Sequence, residues 1–367
     1  MDTTGLEKIA EPLLSWFGQH ARVLPWREHP DAYRVWVSEI MLQQTRVEAV
    51  KPYFARFMEA LPDVAALAAC PEDQLLKLWE GLGYYNRVRN MQKAAVRMME
   101  ESGGVPPATY EELLALPGIG SYTAGAIASI AYGQAVPAVD GNVLRVVSRI
   151  CGSCEDITKQ SVKKQVEQAL KRVMPQECPG TFNQAMMELG AMVCVPNGAP
   201  ECERCPVRSI CAAGESGAWK QIPVKAAKKP RRVEPRTVLV IRDQEHAAVQ
   251  KRPDAGLLAG LYELPNFEGH LSQEEALAQV RRLGFAPIRI QPLEEAKHIF
   301  SHIEWRMAGY LVLVEEKEQR NKAACDQKLL FIEPSRTEQE YPIPAAFASY
   351  VKYLHIRLGQ EKFEAEA

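Results

Sequence analysis

Long apolar runs and an excess of charge of either sign are both missing from this sequence of 367 residues. The longest apolar stretch, at 123–132, is far too short to cross a bilayer, which takes about 20 residues. The N-terminal residues also lack a basic leader followed by an apolar stretch, so we expect a cytoplasmic protein that does not enter the membrane. The net charge of −2 neither requires nor excludes nucleic acid, because lysine and arginine can collect on one face.

Composition and length indicate a globular protein of two domains. Hydrophobic residues make up 47% and charged residues 25% of the chain, and its length exceeds the usual size of one core. From about residue 5 to 213 apolar residues recur at spacings of three and four, without a convincing strand pattern. Segments rich in proline and glycine, such as 103–107 and 116–120, are typical of turns between helices. We therefore predict an all-α first domain at 1–219.

The segment 220–236 differs from the sequence on either side. It carries seven lysines or arginines against one acid, with three prolines and little apolar periodicity. This composition predicts a linker, either a solvated tether that its charges extend or a segment that contacts DNA phosphates.

Beyond the linker the pattern predicts an α/β domain at 237–367. Alternating apolar residues indicate strands, and the last two of these face each other as a hairpin. The predicted strands lie at 237–243, 246–253, 262–265, 296–302 and 303–316. Helices are predicted at 272–284 and 344–359.

Four of the nine cysteines lie close together, separated by seven, two and five residues: Cys194, Cys202, Cys205 and Cys211. An odd total with such a concentration is unlike a secreted disulfide framework and is typical of a metal site in a reducing compartment. Four thiolates can hold zinc or an iron–sulfur cluster, but zinc sites more often pair two short Cys-x-x-Cys motifs. The single compact run, with a proline directly after Cys205, favours a [4Fe–4S] cluster.

The segment LPGIGSYTAGAIASIA at 116–131 places two glycines between two helices. Gly118 and Gly120 would let backbone N–H groups approach an anion closely, and the positive N-terminal end of the next helix would add to the attraction. Such a turn binds DNA phosphates independently of base sequence. A glycine that only caps the preceding helix is the alternative explanation.

Two acidic residues have the surroundings that cleavage of a base–sugar bond requires. Glu39 lies in a helix among apolar neighbours, where loss of hydration should raise its pKa and keep a proton on it near neutral pH. Asp140 stands directly before a helix that carries Arg145 and Arg149, a position that also suits an N-cap. One carboxyl that holds its proton and one that stays ionised can protonate a leaving base and stabilise a cationic sugar.

Several motifs together resemble the MutY family of adenine DNA glycosylases over nearly the whole chain. They occur in the family's order: LPWR (24–27), SEIMLQQTRV (38–47), EGLGYYNRVRN (80–90), LPGIGSYTAGAI (116–127), VDGNVLRV (139–146) and FSH (300–302). The four cysteines also match, although their first gap has seven residues where the family usually has six. The resemblance implies a helix-hairpin-helix glycosylase domain with an iron–sulfur cluster loop, followed by a MutT-like, Nudix-related α/β domain.

The resemblance further implies a base excision repair enzyme that removes adenine mispaired with 8-oxoguanine or guanine. Glu39 would be the general acid that protonates a purine-ring nitrogen, and Asp140 would stabilise the cationic or covalent sugar intermediate. Tyr122 and Asn142 would assist at the sugar and at Asp140, and Arg27 would help to hold the base pocket. Strand-cutting relatives similar to endonuclease III carry at position 122 a lysine that forms a Schiff base, so Tyr122 predicts a monofunctional enzyme that leaves an abasic site.

Other positions match family residues that enter the duplex where the adenine is flipped out. These are Gln44, Leu82 and Tyr84, with Arg87 beside the aromatic wedge. Flipping costs a few kcal/mol of lost stacking, which favours a mispaired base. Ordinary core packing is the alternative for Tyr84.

The second domain resembles the lesion-reading module of the same family. Its segment YELPNFEG echoes the entrance of a Nudix box, but 272–285 lacks the glutamate pair that would coordinate magnesium, which argues against a phosphohydrolase. The resemblance implies recognition of 8-oxoguanine by the hairpin tip, through Phe300, Ser301 and His302, with His298 as a helper.

The expected partner is double-stranded DNA that contains an adenine:8-oxoguanine mispair, engaged by a monomer whose two domains both contact one duplex. A lyase similar to endonuclease III is one alternative, and Tyr122 and the second domain argue against it. A non-catalytic, iron–sulfur DNA-binding protein is another, in which Glu39 and Asp140 would matter only for stability.

Overall fold

The computed structural model of the chain describes residues 2–227, 230–315 and 329–358. It contains two compact units: unit 1 consists of Met1–Ala69 and Arg89–Lys228, and unit 2 of Cys70–Val88 and Lys229–Ala367. The segment Cys70–Val88 thus belongs to unit 2, although its sequence lies within the helical region. Over the described ranges, no helix combines the length and the apolar character needed to cross a membrane.

The described part of the predicted all-α region consists of helices joined by turns and loops. Its helices are α1 (Ala10–His20), α2 (Pro25–Glu28), α3 (Ala32–Leu42), α4 (Val47–Ala60), α5 (Val64–Ala69), α6 (Glu72–Leu78), α7 (Asn86–Ser102), α8 (Tyr110–Leu114), α9 (Ser121–Ile130), α10 (Gly141–Ile150), α11 (Gln160–Val173), α12 (Pro179–Met192) and α13 (Ala212–Ser216). Helix α6 lies in unit 2, and α7 begins there and continues into unit 1.

Helix α3 is buried along most of its length and packs against α9. Its start is fixed by Asp31, whose side chain accepts a hydrogen bond from the backbone N–H of Arg34 at 2.9 Å. The facing helix α9 is rich in alanine and glycine, and its small side chains let the two helices approach closely. This packing brings Glu39 of α3 against Tyr122 of α9.

A second part of the unit 1 core lies where α1, α10 and α12 meet. Leu13, Val147 and Phe182 are fully buried there. Each such side chain contributes about 2 kcal/mol through burial of apolar surface. The core therefore fixes α10, and with it Asp140 at the N-terminus of that helix.

Unit 2 is built on a mixed sheet, as the α/β prediction requires. Its strands are β1 (Arg232–Arg242), β2 (Ala247–Lys251), β3 (Tyr262–Glu263), β4 (Asn266–Glu268), β5 (Pro287–Ile299), β6 (Ile303–Val314) and β7 (Leu329–Ile332). The order is β3-β2-β1-β6-β5, with β4 also paired to β1 and β7 to β2. Strands β1 and β6 are parallel, and the other pairs are antiparallel.

Both faces of this sheet are covered. Successive residues of β1 point to opposite faces, and each set packs against a different part of unit 2. Val238 and Val240 pack with residues near the C-terminal end, including those of α16 (Ala348–Val351). Leu239 and Ile241 pack on the other face with α14 (Gln273–Arg282). A further short helix, α15 (Pro334–Gln339), follows β7.

The predicted linker 220–236 is folded at both ends. Strand β1 begins at Arg232 because it pairs residue by residue with β6, where Arg232 lies opposite Ile303. At the other end Ile222 is buried, and Val224 forms a bridge with Asp156 of unit 1. The composition does not indicate either feature, because the start of β1 is charged and lysines flank Ile222 and Val224.

Two predicted elements differ from the structure. Strand β5 begins at Pro287, whereas the predicted strand begins at 296. The sequence pattern does not indicate the first half of β5, because that half lies at a sheet edge and is largely exposed, without apolar alternation. The predicted helix 344–359 is instead a series of short α and 3₁₀ turns up to Leu354, with residue 359 outside the described part. Its buried side chains keep the helical spacing, and that spacing does not distinguish the two kinds of turn.

Candidate active site

Residues of α3, α9, α10 and α12 line a pocket of about 880 Å³ in unit 1. A cavity of this size can take a purine base. Seven of the predicted site residues line it: Arg27, Glu39, Gln44, Gly120, Tyr122, Asp140 and Asn142. The two carboxyl groups, 101 positions apart in sequence, therefore face one cavity.

Glu39 is buried and accepts a hydrogen bond from the hydroxyl of Tyr122. Burial raises the pKa of Glu39 to about 7, the Tyr122 bond opposes the rise, and the nearby Asp140 carboxyl adds to it. Burial also raises the pKa of Tyr122 well above its ordinary value, so its hydroxyl stays a neutral donor. Glu39 can therefore keep a proton near neutral pH.

Asp140 caps α10 and faces the pocket, so the two interpretations of its position are compatible. Its carboxylate accepts from the backbone N–H of Val143 at 2.7 Å and from the amide Nδ2 of Asn142 at 2.8 Å. Burial raises the pKa of Asp140, and these two hydrogen bonds oppose the rise. The bonds also fix the orientation of the carboxylate.

Arg145 links this carboxylate to the cysteine segment. Its buried guanidinium donates from Nη2 to Oδ1 of Asn142 at 2.9 Å and from Nε to the carbonyl oxygen of Cys194 at 2.8 Å. Asn142 in turn donates to Asp140. A continuous hydrogen-bonded path thus joins Cys194 to Asp140.

Glu188 is a pocket residue that the sequence analysis missed. It is 1% exposed and accepts from Arg22 Nε at 2.7 Å and from Arg27 Nη2 at 3.0 Å. Burial alone would raise the pKa of Glu188, but the bonds from both arginines outweigh it and lower the pKa to about 2. Glu188 is thus a fixed anion that orients Arg27. An acid among the apolar residues of α12 is the same signal that identified Glu39.

The glycine-rich turn precedes α9, whose N-terminus has no side-chain cap among the described residues. Gly118 has a φ of 76°, and a Cβ there would lie 2.6 Å from the Cβ of Asn90, so this position requires glycine. Gly120 has an extended φ of −95° and free space where a Cβ would lie. The two glycines therefore differ. The backbone at 118 requires glycine, whereas Gly120 leaves free space in the pocket wall where a side chain would lie.

Lys225, from the predicted linker, also lines the pocket. It follows the docked residues, where Val224 O accepts from Ile157 N at 3.1 Å and Ile222 O accepts from Arg149 Nε at 2.9 Å. The ammonium is exposed. The basic segment thus adds a cation to the active-site wall.

The four predicted cysteine ligands line one small cavity of about 30 Å³ in unit 1. Arg149 borders it and donates from Nη1 to Cys194 Sγ at 3.2 Å. Within the described ranges no three His, Cys, Asp or Glu side chains form a group that could hold a metal ion. Four soft thiol ligands around a shared space, beside a cation, fit a polynuclear iron–sulfur group of negative charge.

The predicted wedge residues lie in unit 2. Tyr84 is half-exposed with a positive φ of 48°, whereas Leu82 is buried. The Arg87 guanidinium lies 5.6 Å from the Tyr84 ring and donates to the Leu82 carbonyl oxygen at 2.9 Å. Gln44, at the unit 1 pocket, also has a positive φ, of 61°. Such conformations are uncommon outside glycine and cluster at functional sites.

The predicted lesion-reading residues form the turn between β5 and β6. Ser301 and His302 are exposed, and the Ser301 hydroxyl lies 3.4 Å from that of Tyr84 within unit 2. Phe300 is held between His298, with ring centroids 4.6 Å apart, and Trp305, at 4.9 Å. Burial lowers the pKa of His298, which keeps its ring neutral at physiological pH.

Comparison with known proteins agrees with this architecture. Residues 37–175 match the HhH-GPD superfamily of base excision DNA repair proteins, and residues 237–353 match the NUDIX domain. A thermostable thymine-DNA glycosylase superposes with a TM-score of 0.53 and 25% identity, covering 59% of this chain and 100% of its own. A trapped endonuclease III–DNA covalent intermediate gives 0.51 and 25%, covering 59% and 99%. Fold and pocket define a base excision repair protein of the helix-hairpin-helix class with an appended Nudix-type domain.

Similarity to individual proteins narrows this class to one family. The chain is 37% identical over 375 residues to the adenine DNA glycosylase of Mus musculus, which covers 86% of this chain and 72% of the mouse protein. The adenine DNA glycosylase of Homo sapiens is 35% identical over 409 residues, covering 95% and 74%. That of Buchnera aphidicola is 33% identical over 297 residues, covering 80% and 82%. The chain belongs to the adenine DNA glycosylase family.

Proposed function

We propose that this protein removes adenine from adenine:8-oxoguanine and adenine:guanine mispairs in double-stranded DNA and leaves an abasic site. The observation that carries the proposal is the shared pocket of Glu39 and Asp140. Family membership supports adenine as the base that is removed.

The reaction needs one acid and one anion. Glu39, with its pKa at about 7, gives its proton to a ring nitrogen of the flipped adenine, and the bond between base and sugar breaks with its electron pair on the base. Asp140 stabilises the positive charge left on the sugar. A water molecule then adds its hydroxide to the sugar carbon and gives its proton to the ionised Glu39, which restores the starting state.

Other residues of the pocket assist without forming covalent bonds to the substrate. Tyr122 holds Glu39 in place and contributes a hydroxyl at the sugar, Asn142 orients Asp140, and Arg27 is held against the base by Glu188. Tyr122 has no amine, so the enzyme forms no Schiff base and leaves the strand intact.

Unit 2 reads the base opposite the adenine. Ser301 hydrogen-bonds to 8-oxoguanine, Phe300 packs beside it, and His298 and His302 flank the contact; exposure of the hairpin tip supports this role. Tyr84 and Leu82 enter the duplex with Arg87 behind them, and Gln44 does so on the pocket side. Leu82 is buried in the free protein, so its part of the contact requires a movement on binding.

The remaining assignments concern the scaffold. Gly118 and Gly120, before the uncapped N-terminus of α9, bind a DNA phosphate. Cys194, Cys202, Cys205 and Cys211 hold a [4Fe–4S] cluster, which would supply covalent cross-links that order their segment. A glycosylase domain at 1–219, a basic linker at 220–236 and a lesion-recognition domain at 237–367 act as one monomer on one duplex.

The proposal is tested by incubating the protein with duplexes that contain adenine opposite 8-oxoguanine, guanine or thymine. We expect free adenine from the first two, and strand breaks only after alkali. Cleavage without alkali, together with borohydride trapping of a protein–DNA adduct, would instead assign a lyase. Adenine left in place in all three duplexes would refute the proposal.

A further inference from the structure

Two buried side chains that pair with each other, Lys77 and Glu80, tie the segment Cys70–Val88 to the C-terminal part of unit 2 through backbone groups. Lys77 Nζ lies 2.9 Å from Glu80 Oε2 and donates to the carbonyl oxygens of Thr337 at 2.6 Å and Tyr341 at 3.4 Å. The other carboxylate oxygen of Glu80 accepts from the backbone N–H of Ile343 at 2.8 Å. Two charged side chains of the segment thus bond to three backbone groups more than 250 positions away in sequence.

Burial makes this contact stronger than an ordinary surface pair. The side chains of Lys77 and Glu80 are 13% and 4% exposed, so replacing either one removes a buried contact between charged groups. The segment also forms an ion pair with β2, between Asp73 and Lys251 at 2.9 Å, but these side chains are 49% and 36% exposed. Exposed pairs contribute little. The buried hydrogen bonds of Lys77 and Glu80 to the backbone therefore hold the segment more firmly than the exposed Asp73–Lys251 pair does.

The residues directly after Glu80 form the wedge. Trp79 is fully buried and its Nε1 donates to the carbonyl oxygen of Gly83 at 3.1 Å, while Arg87 donates to the carbonyl oxygens of Leu82 and Gly83. These bonds leave the turn little freedom of its own. Its placement relative to the hairpin tip therefore follows the placement of Glu80.

We infer that Glu80 and Lys77 are positioning residues for lesion recognition, which hold the wedge residue Tyr84 beside Ser301 of the hairpin tip. Neither side chain reaches the bases. They act through the backbone of 337–343 and through the turn that follows them. The inference rests on the proposed function, because it assigns the turn that carries Tyr84 and the hairpin tip to reading the base opposite the adenine.

The test compares Glu80→Ala, Glu80→Gln and Lys77→Met with wild type, using Asp73→Asn as the control that breaks the exposed pair of the same segment. Single-turnover rates of adenine excision are measured opposite 8-oxoguanine and opposite guanine, and the ratio of the two rates is the readout. We expect Glu80→Ala and Lys77→Met to lower this ratio by about tenfold, and Asp73→Asn to leave it unchanged. Glu80→Gln should restore part of the loss, because its amide oxygen still accepts from Ile343.

Equal loss of rate on both substrates, with an unchanged ratio, would mean that the pair only maintains the fold and would overturn the inference. If Glu80→Ala does not fold, as judged by circular dichroism, Glu80→Gln and Lys77→Met decide: an unchanged ratio in both overturns it. A wild-type protein that excises no adenine refutes the proposed function instead. The two failures are therefore distinguishable.

Discussion

Replacing Glu39 by glutamine should stabilise unit 1 at alkaline pH. Burial raises the pKa of Glu39 from 4.5 to about 7. Between these values the unfolded chain has lost the proton while the folded chain keeps it, so the free energy of unfolding falls as the pH rises. Above pH 7 the full cost of a buried carboxylate is present. A pKa difference of about 2.5 corresponds to ~3 kcal/mol as an upper limit.

Glutamine keeps the size of the side chain and an acceptor for Tyr122, but it cannot ionise. The free energy of unfolding of unit 1, measured by urea denaturation, should therefore be higher in Glu39→Gln than in wild type at about pH 8, and nearly equal at about pH 4. Glu188→Gln is the matched control with the opposite sign. The pKa of Glu188 is about 2 in the folded protein, so ionised Glu188 stabilises the fold above pH 4.5, and this stabilisation is lost as pH falls through 2. The Glu188→Gln variant should therefore be less stable than wild type at about pH 8.

A Glu39→Gln variant that is less stable than wild type at about pH 8 would refute the assigned burial cost. So would a stability difference that is the same at both pH values. The expected result also explains the position itself: the enzyme loses stability at neutral pH in order to keep a carboxyl group that can donate a proton.

Three further predictions concern neighbouring residues. Tyr122→Phe removes a hydrogen bond that lowers the pKa of Glu39, so the alkaline limb of the single-turnover pH–rate profile should move to higher pH; a move to lower pH would contradict the assignment. Arg145→Met breaks the path from Cys194 to Asp140 and should lower the excision rate by about tenfold together with the iron content of the purified protein, whereas normal iron and rate would disprove the link. Lys225→Ala should weaken DNA binding and reduce the slope of the logarithm of the binding constant against the logarithm of the salt concentration by about one. An unchanged slope would show that Lys225 contacts no phosphate.

The sequence predicts the class of each half of the chain because hydrophobic spacing depends on local structure. Helices α3, α9 and α10 lie where periodicity indicates helices, and strands β5 and β6 pair as the predicted hairpin, although β5 begins earlier than predicted. Glu39 and Asp140 could be singled out because each has a local signal, an apolar helix face in one case and a helix start in the other. Their meeting in one pocket depends on the packing of α3, α9 and α10, which no local pattern specifies.

Features that depend on distant pairing were missed for the same reason. The attachment of Lys77 and Glu80 uses backbone groups near 337–343, and nothing around α6 indicates it. Glu188 has a local signal like that of Glu39, but its pairing with Arg22 and Arg27 depends on tertiary packing that no local pattern specifies. The docking of Ile222 and Val224 converts part of a segment with linker composition into a wall of the active site.

In the proposed mechanism Glu39 and Asp140 together excise adenine. The most direct test is single-turnover excision from a duplex with adenine opposite 8-oxoguanine, comparing wild type with Glu39→Gln and Asp140→Asn at matched DNA occupancy. We expect wild type to release adenine, and both variants to bind the duplex but lose most of the rate. Full activity in either variant would refute the role of that carboxyl, and a wild type that releases no adenine would refute the proposed function.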